Sequence, residues 1–455
     1  MLVHASHYHL WLRLVMLSAL LPASAWGGQT ANPALFSRTK MQEVELKGLR
    51  VWLGKPVQVT AQVGWQQSGP WYDTHGSNGE PANARGASSW AFIHLTPFMA
   101  RFPSGELIVT YTLDSDTDSN PVTVSGFQIS KDGGEHWGRR YSLLMQHMTM
   151  TFVPKAPDSL LGLPSEMVQQ SPGDEHNYRG PYYLFEQGGE RMVMVPDGIR
   201  ALNFPWPAYL WRSPQPREDW PVGARITGST IEIGGRLLGT GDLEKKGDKL
   251  WSAILWTSED GGYTWRYFST VAEPDRSLAS QRSYEGPTEP NVMQLADGDL
   301  MAVFRVGSGR RWNLGRAYSH DGGHTWTKPD VLPAWSVSPQ IKRIANGTIV
   351  LSTGRPGIHL WLSNDPRGTT WQDIDIVAYH NRWAPTPTER ISSFEIKSSP
   401  YLSETTQWQT SSYTGLVEVA PNRLLLAYDR DPERAPSGPD DLSRVFVLPI
   451  EVERK

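Results

Sequence analysis

The chain has no cysteine among its 455 residues. Disulfides and thiolate metal sites are therefore excluded, so packing and hydrogen bonds must hold the fold together. Charge is nearly balanced as well, with a formal net charge of −4 and no outstanding basic patch. We accordingly expect no nucleic-acid partner. Helix signals are nearly absent, which leaves strands and turns as the features that organise the sequence.

Long apolar runs are also missing, apart from one near the start. Residues Leu10–Leu21 are apolar except for Arg13 and Ser18, and the small residues Ala23-Ser24-Ala25 follow them. This pattern predicts a signal peptide over residues 1–25, because the run is too short for a confident membrane span. We expect a secreted or periplasmic protein without a membrane span after cleavage. A linker or an N-terminal arm over residues 26–42 would precede a single domain over residues 43–455.

What the chain does contain is a repeated turn motif, Ser-x-Asp-x-Gly-x-Thr-Trp. In such a turn the Asp accepts hydrogen bonds from nearby backbone N–H groups, the Gly adopts positive φ, and the Trp covers the hairpin. The first good copy has His136 in place of Thr, and the fourth has one extra residue. The copies are Ser130–Trp137, Ser258–Trp265, Ser319–Trp326 and Ser363–Trp371, and Ser213–Trp220 keeps only the two ends of the pattern.

A second repeat consists of two short apolar strands joined by a tight turn. Its copies are Pro97–Tyr111, Val292–Phe304, Gln340–Ser352 and Leu416–Tyr428. Repeated hairpins of this kind predict an all-β protein made of similar antiparallel sheets. The strand character of Val44–Val63 suggests that this segment helps to close the assembly beside the last apolar run, Val445–Val452.

Four turns of this kind resemble the Asp boxes of the sialidase superfamily, and the resemblance covers most of the chain after Trp90. It implies a sialidase-like β-propeller of four-stranded antiparallel blades, and the number of repeated segments favours six blades. Asp boxes lie at the blade periphery in that family. A structural role is therefore expected for their carboxylates, which belong to Asp132, Asp260, Asp321 and Asp365.

The resemblance also implies a catalytic site. Sialidases use a Tyr nucleophile paired with a Glu, three Arg that hold the substrate carboxylate, an Asp acid/base and an acidic residue that braces one Arg. By position, Tyr413 resembles the nucleophile and Glu289 resembles its base. Arg305 and Arg355 resemble two of the arginines, and Asp429 falls where the bracing residue is usual.

The residue types suit this chemistry. A phenol with a pKa of about 10 is a poor nucleophile at neutral pH, but a carboxylate within hydrogen-bond reach can take its proton. A neutral Tyr also attacks an anomeric carbon that bears a carboxylate without repulsion between like charges. The planar fork of Arg binds a carboxylate through two parallel hydrogen bonds, which Lys cannot do.

The first predicted blade departs from the family. Sialidases carry Tyr-Arg-Ile-Pro there, whereas this chain has Ile93-His94-Leu95-Thr96-Pro97, so the first arginine is missing and His94 is a candidate replacement. The acid/base is expected in the next loop, where Asp114, Asp116 and Asp118 cluster. Acidic residues in a polar loop can also be merely solvated, or can bind a hard cation.

Two classes of function follow from these observations. The first is a retaining exo-glycosidase of sialidase type that hydrolyses a terminal acidic sugar, sialic acid or a related one, and the order of Glu289, Arg305 and Tyr413 favours it. The alternative is a non-hydrolytic glycan-binding propeller, or a polysaccharide lyase acting on uronates, which the missing arginine favours. In either case we expect a monomer that binds a glycan or glycoconjugate and uses no cofactor.

Overall fold

The computed structural model describes residues 34–62, 96–112, 123–145, 150–164, 168–169, 176–203, 208–209, 225–245, 250–307, 312–335, 337–395, 406–431 and 442–455. The candidate residues His94, Asp114 and Asp116 lie outside these ranges, as does the predicted signal peptide. No helix in the described ranges is both long enough and apolar enough to span a membrane.

Antiparallel strands make up most of the described chain. The first thirteen are β1 (Gln42–Leu46), β2 (Leu49–Leu53), β3 (Val57–Gln62), β4 (Phe98–Arg101), β5 (Leu107–Thr112), β6 (Thr123–Ser130), β7 (Tyr141–Met145), β8 (Met150–Lys155), β9 (Ser159–Pro164), β10 (Val168–Gln169), β11 (Tyr178–Glu186), β12 (Arg191–Leu202) and β13 (Ala208–Tyr209). The next eight are β14 (Arg225–Ile233), β15 (Arg236–Lys245), β16 (Trp251–Ser258), β17 (Thr264–Ala272), β18 (Tyr284–Gln294), β19 (Leu300–Gly307), β20 (Asn313–Ser319) and β21 (Asp330–Trp335). The last nine are β22 (Gln340–Arg343), β23 (Ile349–Gly354), β24 (Ile358–Ser363), β25 (Gln372–Asp375), β26 (Ser393–Glu395), β27 (Thr406–Trp408), β28 (Gly415–Ala420), β29 (Arg423–Arg430) and β30 (Ser443–Arg454).

One α-helix, α1 (Ile376–Trp383), follows β25 in the described part of the chain. Asp375 caps it, since its side chain accepts the backbone N–H of Ala378 at 2.8 Å. Capping of this kind satisfies a donor that has no partner within the helix. Short 3₁₀ turns occur at Arg38–Lys40, Gln187–Gly189, Arg276–Leu278 and Pro387–Glu389.

The sheets agree in part with the expected four-stranded units. Three sheets contain four antiparallel strands each, in the orders β4-β5-β6-β7, β18-β19-β20-β21 and β22-β23-β24-β25. A ten-stranded sheet joins two further groups, because β12 runs parallel to β17 through the pairing of Arg200–Leu202 with Thr264–Arg266. A two-stranded sheet, β26-β27, stands apart from them.

The remaining sheet joins the two ends of the described chain. Its strand order is β1-β2-β30-β29-β28, and β3 also pairs with β30. The long strand β30 pairs with β29 on one edge, while β3 and β2 follow each other along the other edge. Leu49, Val51 and Leu53 of β2 are fully buried, so this pairing belongs to the core.

The first strands of the successive groups contact one another in a closed circuit. Contacts run from β4 to β8, β14, β18, β22 and β28, and from β28 back to β4. Buried polar groups reinforce the middle of this circuit. The Asn291 side chain in β18 accepts the N–H of Ser229 in β14 at 3.2 Å and donates to the carbonyl of Pro339 beside β22 at 3.1 Å.

The repeated turns connect the third and fourth strands of their groups and have the hydrogen bonding that the motif predicts. In the Ser319 turn, Ser319 Oγ donates to Asp321 at 2.8 Å and accepts the N–H of Gly323 at 2.8 Å. Asp321 also accepts the N–H of Thr325 at 2.9 Å. The Ser130 and Ser258 turns repeat the pattern. These carboxylates therefore stabilise turns.

Candidate active site

Glu289 occupies an irregular part of β18, where the pairing with β19 shifts on both sides of Thr288. Its φ of +48° lies in the left-handed region, which costs a non-glycine residue about 1–2 kcal/mol. The fully buried carboxylate of Asp242 holds this conformation. Its Oδ2 accepts the N–H of Glu289 at 2.7 Å and the hydroxyl of Thr288. Asp242 therefore fixes the direction in which Glu289 points.

The Glu289 carboxylate receives three described hydrogen bonds. Oε1 accepts the Tyr413 hydroxyl at 2.5 Å and Nη1 of Arg305 at 3.1 Å. Oε2 accepts the backbone N–H of Ser338 at 2.7 Å. Because Glu289 is 8% exposed, these donors replace most of its contact with water.

These contacts decide the charge of Glu289. Burial alone would raise its pKa, but the positive charge of Arg305 and the hydrogen bonds from Tyr413 and Ser338 act in the opposite direction. Arg225 contributes in the same sense, and the net effect lowers the pKa of Glu289 below its usual value. An ionised Glu289 can accept the proton of the phenol that it contacts.

Tyr413 precedes β28 in a loop that Asp429 braces. Asp429 is fully buried, and its Oδ1 accepts the hydroxyls of Thr410 at 2.9 Å and Ser411 at 2.8 Å. Its Oδ2 accepts the N–H of Ser411 at 2.9 Å. These contacts support the loop that carries Tyr413, because Asp429 lies at the end of β29, directly beside the entry to β28. Its role in bracing an arginine stays a prediction.

The phenol of Tyr413 is protonated in this environment. Burial raises its pKa, and the negative charge of Glu289 raises it further. The positive charges of Arg305 and Arg355 act in the other direction without reversing the shift. Tyr413 is thus a hydrogen-bond donor to the Glu289 carboxylate.

Arg305 is enclosed by acceptors from its own chain. Its Nε donates to the carbonyl of Gly307 at 3.3 Å, Nη1 to Glu289 at 3.1 Å, and Nη2 to Glu285 at 2.7 Å. Burial would lower the pKa of Arg305, but the carboxylates of Glu285 and Glu289 outweigh it and raise the pKa. We expected Arg305 to hold a substrate carboxylate; two protein carboxylates already contact it.

Arg355 completes the group of predicted residues. It follows the end of β23, with a φ of +60°, and its Nη2 donates to the carbonyl of Ser411 at 3.3 Å. Its guanidinium carbon lies 5.9 Å from the centre of the Tyr413 ring. The fold therefore brings together Tyr413, Glu289, Arg305 and Arg355, which come from three different sheets.

Sequence reasoning missed three charged residues beside this group. Glu285 lies four positions before Glu289, and the irregular pairing of β18 directs both carboxylates to Arg305. Arg225 and Asp242 lie across β14 and β15, with Nε 3.5 Å from Oδ1. No sequence motif marks any of these three residues.

One further grouping offers possible metal ligands within the described ranges. Asp132, Glu135 and His136 have ligand atoms within 4.8 Å of one another in the first repeated turn. His136 Nδ1 lies 2.7 Å from Asp132 Oδ2, and this contact raises the pKa of His136. These side chains serve the turn and make no described contact with Tyr413 or Glu289.

Comparison with known proteins finds a family match for part of the chain. Residues 224–413 match the BNR repeat-like domain, and the matched segment runs from the start of β14 to Tyr413. It includes three of the four repeated turns in full, as well as Glu289, Arg305 and Arg355. The matched segment covers 190 of the 455 residues, from 224 to 413, and this segment is similar to the BNR repeat-like family. No curated protein sequence matches it.

Several solved structures resemble this chain. A protein of unknown function from Dyadobacter fermentans has 16% identity over 90% of this chain and 100% of its own, with a TM-score of 0.56. The GH93 α-L-arabinofuranosidase of Fusarium graminearum has 13% identity over 88% of this chain and 98% of its own, with a TM-score of 0.50. The Hadza microbial sialidase Hz136 has 14% identity over 80% and 66%, with a TM-score of 0.49. At such identities the likeness concerns the fold.

Proposed function

We propose that the protein is a secreted or periplasmic exo-glycosidase that removes a terminal acidic sugar, sialic acid or a related one, from a glycan. The observation that carries this proposal is the 2.5 Å hydrogen bond from the Tyr413 hydroxyl to Glu289. The phenol is held protonated and the carboxylate ionised, so the two groups are poised for one proton transfer.

The proposed reaction has two steps and retains the anomeric configuration. Tyr413 Oη attacks the anomeric carbon while its proton passes to Glu289, and the bond to the aglycone oxygen breaks. A general acid protonates that oxygen; we assign this role to Asp114 or Asp116, in the loop where sequence reasoning places it. Water then attacks the anomeric carbon, its proton returns to the acid, and Tyr413 recovers its own proton from Glu289.

The remaining charged residues would orient the sugar. Arg355 lies beside Tyr413, so it is our first candidate for binding a carboxylate on the anomeric carbon. Arg305 is a second candidate. His94, which lies outside the described residues, stays a candidate from the sequence. Asp429 would act indirectly, because it holds the loop that positions Tyr413.

We also propose a six-bladed propeller, and the closed circuit of β4, β8, β14, β18, β22 and β28 supports it. Each of these strands begins one group of antiparallel strands. In this arrangement the parallel pairing of β12 with β17 links two neighbouring blades at their outer edges. The site would lie at the mouth of the central channel, where propellers commonly bind ligands.

A non-hydrolytic glycan-binding protein is the second candidate. The occupation of Arg305 by Glu285 and Glu289 favours it, because these carboxylates compete with an acidic sugar for the guanidinium. A uronate lyase would use the same site, with a His or a Tyr as the base. Both alternatives predict that a glycoside panel gives no hydrolysis.

The proposal is tested by hydrolysis of fluorogenic glycosides that include sialic acid and other acidic sugars. Uronate polymers are assayed in parallel for unsaturated product, which would indicate the lyase. Tyr413→Phe keeps the ring and removes the nucleophile, so we expect kcat to fall at least about 1,000-fold, with Glu289→Gln similar and the double variant little worse. Tyr141→Phe, at an exposed ring, is the matched control. Full activity of Tyr413→Phe would refute the mechanism.

A further inference from the structure

Glu285 lies where an acidic substrate would have to bind Arg305. We propose that this carboxylate sets the charge specificity of the site: it occupies Arg305 in the unliganded protein, and an acidic sugar binds by displacing it. The inference deepens the proposed function, since it concerns how the same site admits a sugar carboxylate. Glu285 is then a specificity-determining residue and takes no part in bond breaking.

The geometry of the ion pair supports an exchange. Both carboxylate oxygens of Glu285 lie close to Nη2 of Arg305, at 2.7 Å and 2.6 Å. The Glu285 side chain is 33% exposed, whereas the Arg305 side chain is 10% exposed. Of the two partners, Glu285 is therefore the one that solvent and a ligand can reach. A ligand carboxylate that approaches Arg305 would therefore have to compete with Glu285 for Nη2.

Glu289 cannot make way in the same manner. Its side chain is 9% exposed, and it is also held by the Tyr413 hydroxyl at 2.5 Å and the Ser338 N–H at 2.7 Å. Moving it would break the contact on which the proposed chemistry depends. Displacement of Glu285 would leave that contact in place. Glu285 is therefore the carboxylate that we expect the ligand to displace.

Local charge leads to the same conclusion. The positive charges of Arg305 and Arg355 are offset by the negative charges of Glu285 and Glu289, and Arg225 faces Asp242. An acidic sugar would therefore meet no net positive charge while all four groups stay in place. Once Glu285 leaves Arg305, the net charge around the guanidinium becomes more positive and favours an anion. The sugar carboxylate can then form the paired hydrogen bonds that Arg prefers.

The backbone around Glu285 suits such a movement. Regular pairing between β18 and β19 is interrupted between Tyr284 and Thr288, so Glu285 lies in an irregular stretch of the strand. Gly286 has a φ of +83°, and a Cβ there would lie 2.5 Å from the carbonyl of Trp251. This glycine is thus required where the chain turns past Trp251, directly beside the residue that we propose to move.

The test measures binding without turnover. Free N-acetylneuraminic acid and its methyl ester, which differ in the charge of the carboxylate, are titrated calorimetrically into the wild type and into Glu285→Gln. We expect Glu285→Gln to bind the acid about tenfold more tightly, because the competing charge is gone. Affinity for the ester should change by less than about twofold. Glu285→Ala should behave in the same way, and it replaces Glu285→Gln in the test if that variant does not fold.

The control is Glu190→Gln, which removes one negative charge from an exposed pair with Lys131 and should alter neither affinity. Weaker binding of the acid by both Glu285 variants would mean that Glu285 braces Arg305, and it would overturn the inference. Equal tightening for acid and ester, or no binding of the acid by any variant, would also overturn it. Selective tightening in a protein without hydrolytic activity would keep the inference and reject the glycosidase.

Discussion

At the scale of single residues, the groups around Glu289 keep a buried carboxylate ionised. A carboxylate that is 8% exposed would ordinarily take up a proton, and a neutral Glu289 could not accept one from Tyr413. Arg305 supplies the first opposing charge, and the hydrogen bonds of Tyr413 and Ser338 add to it. The base is therefore kept ionised by the residues that also fix its position.

This account predicts the direction of a pH effect. The pKa of Glu289 lies below its ordinary value of 4.5, so the acid limb of kcat/KM should fall below that pH in the wild type. Arg305→Gln removes the positive charge, so the pKa of Glu289 should rise and the acid limb should move to higher pH. Measurement of kcat/KM from pH 3 to 8 checks this, as the activity lost at low pH reports protonation of the base.

The control for the pH profile is Arg367→Gln, because that arginine pairs with Asp297 and Asp299 in exposed turns. Its acid limb should coincide with that of the wild type. An unshifted limb in Arg305→Gln, with activity still measurable, would show that Arg305 does not set the ionisation of Glu289.

The sequence predicted part of this residue set. Tyr413, Glu289, Arg305 and Arg355 were identified by their resemblance, in position and order, to the site residues of sialidases, and the fold brings them together. Asp242 could not be found in this way. Its role depends on a contact between neighbouring sheets and on the left-handed backbone of Glu289, which no local pattern specifies.

At the scale of elements, the repeated turns show which structures a local pattern can predict. Their hydrogen bonds lie within eight residues of chain, as in Ser319–Trp326, so the local sequence is sufficient to predict them. Helix α1 was missed because it has only eight residues, and tertiary contacts support it. His380 Nδ1 lies 2.9 Å from the Tyr428 hydroxyl, and the Tyr379 hydroxyl donates to the carbonyl of Leu53 at 2.6 Å.

The turn account predicts a loss of stability without a loss of catalysis. Ser319→Ala removes the acceptor of the buried Gly323 N–H, and an unsatisfied donor costs about 1–3 kcal/mol in the free energy of unfolding. Because this turn makes no described contact with Tyr413 or Glu289, kcat should stay unchanged. Urea unfolding and steady-state kinetics of the same preparation check both statements.

Ser392→Ala, at an exposed serine, is the matched control and should change the free energy of unfolding by less than about 0.5 kcal/mol. If Ser319→Ala lowered kcat while leaving stability intact, the repeated turn would have a functional role and the structural assignment would be wrong.

At the scale of the whole molecule, one strand joins the beginning and end of the described chain. β30 lies between β29 on one edge and β2 and β3 on the other, which the strand character of both termini had suggested. The merging of two sheets through β12 and β17 was not predicted. That pairing is parallel and joins residues about sixty positions apart, and sequence periodicity carries no information about such register.

Because β2 joins the start of the described chain to β30, two similar Leu→Ala substitutions should lower the free energy of unfolding by different amounts. Leu53→Ala removes a fully buried side chain where β2 pairs with β30, so it should lower the free energy of unfolding by about 2–5 kcal/mol. Leu46→Ala, in the edge strand β1, is the control, because Leu46 is only partly buried. Equal losses in denaturant unfolding would contradict the role of β2 in closing the fold.

The central claim is that Tyr413 forms a covalent bond with the sugar, and trapping this intermediate tests it most directly. The wild type is incubated with a fluorinated glycoside of the acidic sugar that it hydrolyses, since fluorine beside the anomeric carbon slows breakdown of the intermediate. Peptide mass spectrometry then locates the adduct. We predict one sugar per chain, attached to Tyr413, and no adduct in Tyr413→Phe. An adduct on Glu289, or on another carboxylate, would contradict the account.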